Sequence, residues 1–147
     1  MEPKDQELNI GVLMFVSYRH IENAALKAVA DAGFEDITLS QARILQRIGR
    51  EGTRLTNLAE HAQVTKQSAG VLVDQLEAAG YVERVADPSD GRARLVRFTP
   101  RGRDGVAAAG TAVEVVEREW VAHVGERRMA ALREALTSLR EIADPYR

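Results

Sequence analysis

LAEHAQVTKQSAGVLV, which runs from Leu58 to Val73, is the stretch that decides the fold of this 147-residue chain. Its small and apolar residues recur at helical spacing on both sides of Gln63 and Val64, so two short helices can pack against each other there. Gly80 then stops the second helical pattern. The spacing predicts a helix-turn-helix, with helices over residues 55–62 and 65–79.

Two short runs rich in β-branched and aromatic residues follow this motif, at 81–85 and 94–98. They alternate with charges and flank a polar turn that contains Pro88 and Gly91. The pattern predicts a β-hairpin, or wing, and only these two strands. Because no βαβ unit is present, the nucleotide-binding enzyme architectures are excluded.

Helical periodicity continues upstream of the motif. Apolar spacing predicts a long first helix from Leu8 to about Ala30, with Gly33 as its stop signal. Thr38 supplies a capping hydroxyl for a short second helix whose apolar residues extend to Ile48.

Two more helices are predicted downstream of the hairpin. Thr99 and Pro100 supply a cap and a first-turn proline for a long helix that Gly125 breaks. An apolar stripe over 129–142 predicts the last helix, which Pro145 stops. The fold class is therefore mostly α with a small β-hairpin wing: a winged helix-turn-helix plus N- and C-terminal helices.

We expect one domain over residues 1–147, with the winged helix-turn-helix lobe at 36–98. The apolar stripes of the helices at 5–33 and 100–145 exceed what a small lobe can bury, so they need a partner surface. These helices are expected to make the chain a homodimer. A helical bundle within one chain is the alternative.

The composition excludes several classes of protein. The chain contains no cysteine, which excludes disulfides, zinc–thiolate sites, thiol redox sensing and cysteine nucleophiles. It has no basic segment before an apolar stretch near its start and no apolar run of membrane-spanning length. We therefore expect a cytoplasmic protein with no membrane partner and no cofactor.

The formal net charge of −2 hides an uneven distribution. Residues 84–103 carry six arginines against two aspartates, a net charge of +4, and the rest of the chain therefore carries −6. A basic stretch on an acidic body can attract phosphate at one face. The same charges also fit a solvated strand edge.

The first turn of the second motif helix holds four candidate DNA-contacting residues: Thr65, Lys66, Gln67 and Ser68. This turn of a recognition helix meets base edges and phosphates. Gln67 can read adenine, Lys66 can take a guanine edge or a phosphate, and Ser68 can do either. A solvated helix start is the alternative, and capping alone explains Thr65.

The hairpin turn over 87–92 is too polar to be packed and places Arg92 and Arg94 on a projecting loop. An arginine there can enter a minor groove and sense its width and potential. Asp90 is expected to orient Arg92 by a charge-assisted hydrogen bond. A plain turn that uses Asp90 and Gly91 for backbone reasons is the alternative.

Other functions find less support in the sequence. His20, His61 and His123 lack metal-ligand spacing, so neither a catalytic site nor a metal site is predicted. A winged helix used for protein interaction would share the same core, but it gives no reason for an arginine-rich wing.

Five motifs carry a resemblance to a known family, namely residues 58–60, 72–77, 80–82, 87–92 and 95–102. With them the chain resembles the MarR (multiple antibiotic resistance regulator) family over nearly its whole length. The resemblance implies a triangular homodimer whose first and last helices intertwine and whose two winged lobes bind a pseudo-palindromic operator in double-stranded DNA. Arg92 matches the minor-groove arginine of the family's wing, and Asp90 matches its supporting acid. Many members are repressors released by small aromatic or lipophilic effectors.

An effector crevice between the dimerisation helices and the lobe is the further implication of this resemblance. Phe15, Tyr18 and Arg19 are its candidate contacts, with Phe34 and Trp120 nearby. Core packing explains aromatic residues at helical spacing equally well.

The recognition helix departs from the family pattern at three positions. Gly70 and Val71 stand where many relatives have a polar residue or an arginine, and Gln75 replaces another frequent arginine. We expect fewer DNA contacts there, and the helix-propensity cost of about 1 kcal/mol at Gly70 suggests close packing or a close backbone approach.

Overall fold

Residues 7–144, the part of the chain that the computed structural model describes, fold into six α-helices and three strands. In chain order they are α1 (Ile10–Asp31), α2 (Leu39–Leu45), β1 (Thr53–Arg54), α3 (Leu55–His61), α4 (Lys66–Ala78), β2 (Val82–Asp87), β3 (Asp90–Phe98), α5 (Pro100–Val124) and α6 (Glu126–Ala143). The predicted mostly α fold with a hairpin wing is confirmed.

The winged lobe is built around one apolar core. Helices α2, α3 and α4 direct apolar side chains into a core that they share with the sheet, because these residues recur every three or four positions along each helix. Fully buried members include Ile44, Leu58, Val73, Leu76, Tyr81 and Val96. Each large apolar side chain buried here contributes about 1.5–3 kcal/mol, so this core holds the lobe together.

The sheet has three strands in the order β1-β3-β2, all antiparallel. The expectation of only two strands was therefore wrong. Thr53 and Arg54 pair with Val96 and Leu95, but a two-residue strand is too short to show an alternating pattern in the sequence. The hairpin strands also extend further than expected, and only Pro88 and Ser89 separate them.

Local signals set the ends of the helices. The Asn9 side chain caps α1, Thr38 and Gln41 form a capping box on α2, and Thr99 caps α5 with Pro100 in its first turn. Gly125, with φ of +94°, separates α5 from α6, as predicted. The predicted stop at Pro145 lies outside the described residues.

The terminal helices leave apolar surface uncovered. Helix α1 packs on α5 and α5 packs on α6, but no residue of α6 is buried. Along α1, Ile10 is 71% exposed and Phe15 is 53% exposed, and Leu136 of α6 is 40% exposed. A bundle within one chain would have covered these faces. Within residues 7–144, none of the helices combines the length and the apolar character needed to cross a bilayer.

Candidate nucleic-acid interface

The start of α4 presents a capped and solvent-exposed first turn. The backbone N–H of Ser68 donates to Thr65 Oγ1 at 3.0 Å, and the Thr65 hydroxyl donates to Ser68 Oγ at 2.9 Å. The predicted capping role of Thr65 is confirmed. Lys66 and Gln67 follow the cap, and both are exposed. At the cap and in the first turn of α4, backbone amides and polar side chains point away from the protein.

The turn between α3 and α4 sets the orientation of α4 relative to α3. Gln63 has φ of +57°, which places a non-glycine residue in the left-handed region. Its Nε2 donates to the Glu60 carbonyl oxygen at 2.7 Å, so the side chain helps to hold the turn.

The wing exposes Arg92 and Arg94 on β3. Neither side chain forms an ion pair or a hydrogen bond within residues 7–144. Asp90 Oδ1 accepts a hydrogen bond at 3.1 Å from the backbone N–H of Arg92. We predicted that the Arg92 side chain donates to Asp90, and this was wrong because the donor is the backbone N–H. An aspartate reaches the backbone two residues along the chain more easily than it reaches the end of a long side chain.

Asp87 anchors the base of the wing. Its carboxylate accepts two hydrogen bonds from Ser89 and one from Arg54 Nε at 2.8 Å, and the residue is 8% exposed. Bonds from the backbone and side chain of Ser89, followed by the Arg54 bond, lower the pKa of Asp87 to about 2. The expectation that the whole turn is unpacked was wrong at Asp87, since Arg54 comes from the unpredicted strand β1.

Other arginines of the basic stretch are neutralised within the fold. Arg84 pairs with Asp74 at 2.7 Å and with Glu77 at 2.9 Å, and Arg97 pairs with Glu83 at 2.7 Å. The positive charge that residues 84–103 can offer to a binding partner is thus lower than their formal net charge of +4.

A groove runs between the wing and the start of α4. Its wall includes Arg54, Lys66, Arg84 and Arg94. Arg54 and Arg84 are held by carboxylates, whereas Lys66 and Arg94 have no ion pair within the described part of the chain. The groove therefore brings two predicted cations together, facing a common space that suits phosphate.

An ion pair between the buried Glu22 and the half-exposed Arg43 joins α1 to the lobe. The Glu22 carboxylate is 4% exposed, accepts the Tyr18 hydroxyl at 2.6 Å and lies 3.3 Å from Arg43 Nε. Burial alone would raise the pKa of Glu22, but the bonds from Tyr18 and Arg43 outweigh it and hold the pKa below its ordinary value. Arg43 also lines a second groove, beside Gln67 and Ser68. Sequence reasoning missed this pair because its partners lie 21 residues apart.

An apolar cavity of about 230 Å³ lies between α1, α2 and α5, beside Tyr81 and Phe98 of the lobe. The predicted effector contacts Phe15, Tyr18 and Arg19 do not line it. Tyr18 reaches the cavity wall through Glu22 and, at 3.4 Å, through Gln46, and the Arg19 guanidinium lies 5.7 Å from the centre of the Phe15 ring.

The departures within α4 have structural explanations. Gln75 Oε1 accepts a hydrogen bond from Gln41 Nε2 at 3.0 Å and so ties α4 to α2. At Gly70, an added Cβ would lie 3.9 Å from Leu55 Cδ2, which is ordinary contact. The expectation of close packing at Gly70 was therefore wrong.

Residues 7–144 contain no group of three or more His, Asp or Glu side chains placed to hold a metal ion. His20 instead lies near Trp120, with ring centres 6.1 Å apart.

Comparison with known proteins gives one family match. The model of the MarR family matches residues 35–93, which span the lobe from the approach to α2 into the wing. Comparison with curated protein sequences gave no match.

Solved structures similar to this chain cover almost its whole length. The transcriptional regulator Tm0710 from Thermotoga maritima is 26% identical, with a TM-score of 0.61, and the match covers 89% of this chain and 90% of that one. The MarR family protein Rv2887 from Mycobacterium tuberculosis, in complex with salicylic acid, is 25% identical, with a TM-score of 0.65 and coverage of 91% and 98%. CouR from Rhodococcus jostii RHA1, bound to p-coumaroyl-CoA, is 24% identical, with a TM-score of 0.72 and coverage of 97% and 96%.

Proposed function

We propose that this chain is a transcriptional regulator of the MarR family, whose model matches residues 35–93, and that it works as a homodimer that binds a pseudo-palindromic operator in double-stranded DNA. Each winged lobe places the first turn of α4 in a major groove and the tip of the wing in the adjacent minor groove. The simplest output is repression that a small ligand releases.

The observation that carries this proposal is the set of unpaired cations on one side of the lobe. Lys66, Arg92 and Arg94 are exposed and have no carboxylate partner within residues 7–144, while other arginines nearby are paired. Three unpaired cations on two projecting elements provide the positive charge that phosphates require.

Base readout is assigned to the start of α4. Gln67 is exposed beside Lys66 and can make a bidentate contact with adenine, whereas Ser68 and Thr65 can reach phosphate or a base edge at the cap. Asp90 acts indirectly, since it holds the backbone of the wing at Arg92.

The uncovered apolar faces of α1 and α6 support the homodimer. They lie within the segments 5–33 and 100–145 that we assign to dimerisation, on either side of the lobe at 36–98. Burying such side chains against a second copy contributes about 25 cal/mol per Å² of apolar surface, which favours association.

A role in binding another protein is the second candidate. Uncovered apolar surface would favour such a role only on the terminal helices, and a second copy of this chain also accounts for that surface. The wing favours DNA, because its unpaired arginines supply the positive charge that phosphates require.

Ligand control is proposed from the apolar cavity between the terminal helices and the lobe. Small molecules are bound in two of the similar structures, which supports a ligand-responsive regulator. Phe15, Tyr18 and Arg19 remain proposed contacts at the adjacent face of α1.

Selection from random-sequence duplex DNA, followed by affinity measurements at several salt concentrations, tests the proposal. We expect the selected duplex to bind far more tightly than unrelated DNA. Lys66→Ala with Gln67→Ala should erase this preference, and Arg92→Ala with Arg94→Ala should weaken binding and reduce its salt dependence by about two counterions.

Arg118→Ala is the matched control, because Arg118 is an exposed arginine of α5 outside the lobe. It should leave affinity and salt dependence unchanged. If no duplex is enriched, or if the lobe variants behave like the control, DNA binding by this surface is wrong.

A further inference from the structure

The apolar cavity has four walls and room for a small molecule. Its apolar lining includes Leu26 and Val29 of α1, Leu45 of α2, Phe98 of β3 and Val106 of α5. A cavity of about 150 Å³ with a similar lining holds a benzene ring. The 230 Å³ measured here therefore has space for a lipophile of one or two rings.

The ionisable groups that line this cavity are few and carry no positive charge. Within the described chain they are Glu22 and Tyr81, and the remaining polar side chain is the amide of Gln46. The Tyr81 hydroxyl is engaged by Asp36 and Arg101. Glu22 is therefore the charged group that a ligand in the cavity meets.

The Glu22 carboxylate has a free acceptor position. A carboxylate offers about four lone-pair sites. Tyr18 and Arg43 Nε use one oxygen, at 2.6 Å and 3.3 Å, while the other oxygen has one long contact, of 3.4 Å, with Arg43. A ligand group that donates a hydrogen bond can add to this set.

A negatively charged ligand would be penalised at the same place. It would lose its hydration in an apolar cavity, lie beside the buried Glu22 carboxylate and find no lining cation to offset either cost. Arg43 does not line the cavity, and its charge is already committed to Glu22.

We propose that this cavity binds a lipophile of one or two rings that carries no negative charge and directs a hydrogen-bond donor to Glu22. The ligand class is an uncharged amide or a cationic amine or amidine, and not an aromatic carboxylate. This inference rests on the proposed function and deepens it by naming the class of its effector, but the probe-binding measurements use no DNA.

Three naphthalene probes with the same ring system test the proposal on the full-length protein. They are naphthalene-2-carboxamide, naphthalene-2-carboxamidine and naphthalene-2-carboxylate, measured by calorimetry and by thermal shift. We expect the carboxamide and the carboxamidine to bind at least about tenfold more tightly than the carboxylate. Equal or tighter binding of the carboxylate, or no binding of any probe, would overturn the proposal.

Glu22→Gln removes the charge and keeps an acceptor for Tyr18. In this variant the affinities of the three probes should converge to within about threefold. Asp31→Asn is the matched control, since Asp31 lies on the same helix with its side chain 64% exposed and does not line the cavity. It should keep the wild-type order, and an unchanged order in Glu22→Gln would refute the role of Glu22.

Ala109→Leu tests the location, because Ala109 lines the cavity from α5 and a leucine side chain would occupy part of the space that a ring system needs. It should abolish binding of the carboxamide and the carboxamidine while the protein keeps a cooperative thermal transition. Undiminished binding would place the probes elsewhere and overturn the proposal.

Affinity for the selected duplex is measured in parallel on the wild-type protein without probe. If DNA binding is intact and probe selectivity is absent, only the ligand class is wrong. If probe selectivity is present and DNA binding is absent, the proposed function fails and the ligand class stands.

Discussion

The Glu22 carboxylate on α1 lies 3.3 Å from Nε of Arg43 on α2, and this ion pair joins the first helix to the winged lobe. Glu22 lines the apolar cavity, and Arg43 lines the groove beside Gln67 and Ser68. One pair of side chains therefore contacts both the candidate ligand cavity and the surroundings of the recognition helix.

Removal of the cation from this pair should destabilise the protein. We expect Arg43→Met to lower the free energy of unfolding by about 1–2 kcal/mol at pH 7, less than for a fully buried pair because the Arg43 side chain is 48% exposed. Urea denaturation of this variant, of Glu22→Gln and of the double variant measures the coupling, and the double variant should lose less than the sum of the single losses.

The pH dependence gives a second check on the same pair. The folded-state pKa of Glu22 is lowered, so the pair contributes stability above the unfolded pKa, about 4.3, and loses it as the pH falls. The loss in Arg43→Met should therefore be smaller at pH 4 than at pH 7. A loss independent of pH would mean that packing, not charge, is what Arg43 provides.

Gly102 is a position where α5 approaches the lobe closely. An added Cβ would lie 2.0 Å from the Tyr81 carbonyl oxygen, so backbone must move. We expect Gly102→Ala to cost about 3 kcal/mol or more, measured by chemical denaturation. Gly110→Ala on the same helix has nothing within 4 Å of the added atom and should stabilise by about 1 kcal/mol. Similar losses at both positions would contradict this account of the junction.

Asp87 should stabilise the wing in a pH-dependent manner. Its pKa is lowered to about 2, so its ionised carboxylate contributes stability above the unfolded pKa, about 3.9, and this contribution disappears as the pH falls toward 2. Asp87→Asn should therefore destabilise at pH 6, and its difference from wild type should shrink below about pH 4. Thermal melts of both proteins across this pH range test the prediction. A stability difference that does not change with pH would mean that the charge of Asp87 does not contribute.

The apolar face of α1 should be required for the dimer. Leu13 on α1 and Val71 on α4 are 50% and 51% exposed, so they form a matched pair. We expect Leu13→Asp to give a monomer at micromolar concentration, because an unpaired carboxylate is costly in an apolar interface, whereas Val71→Asp stays dimeric. Sedimentation equilibrium measures both masses. A wild-type monomer, or a dimeric Leu13→Asp, would refute the assignment of this face.

Sequence patterns predicted the parts of the fold that depend on neighbours along the chain. The cap at Thr65, the break at Gly125 and the spacing of α3 and α4 are local, so their signals lie within a few residues. By contrast, Asp87 is packed by Arg54 of strand β1, and these two residues lie 33 positions apart in the sequence. No periodicity could reveal that pairing.

The sequence predicted which residues of the candidate site are exposed, but it did not predict which of the nearby arginines are paired with carboxylates. The exposure of Lys66, Arg92 and Arg94 agrees with the expectation, because projecting turns are exposed by their polarity. The neutralisation of Arg84 and Arg97 was not predicted. Their partners come from α4 and β2, so the available charge depends on the folded arrangement.

The most direct test of the central claim is a hydroxyl-radical footprint of the protein on its selected duplex. Two lobes of a homodimer predict two protected regions related by two-fold symmetry, about one helical turn apart, with flanking minor-groove protection that Arg92→Ala removes. A single asymmetric region, or flanking protection that survives Arg92→Ala, would contradict the proposed binding by paired winged lobes.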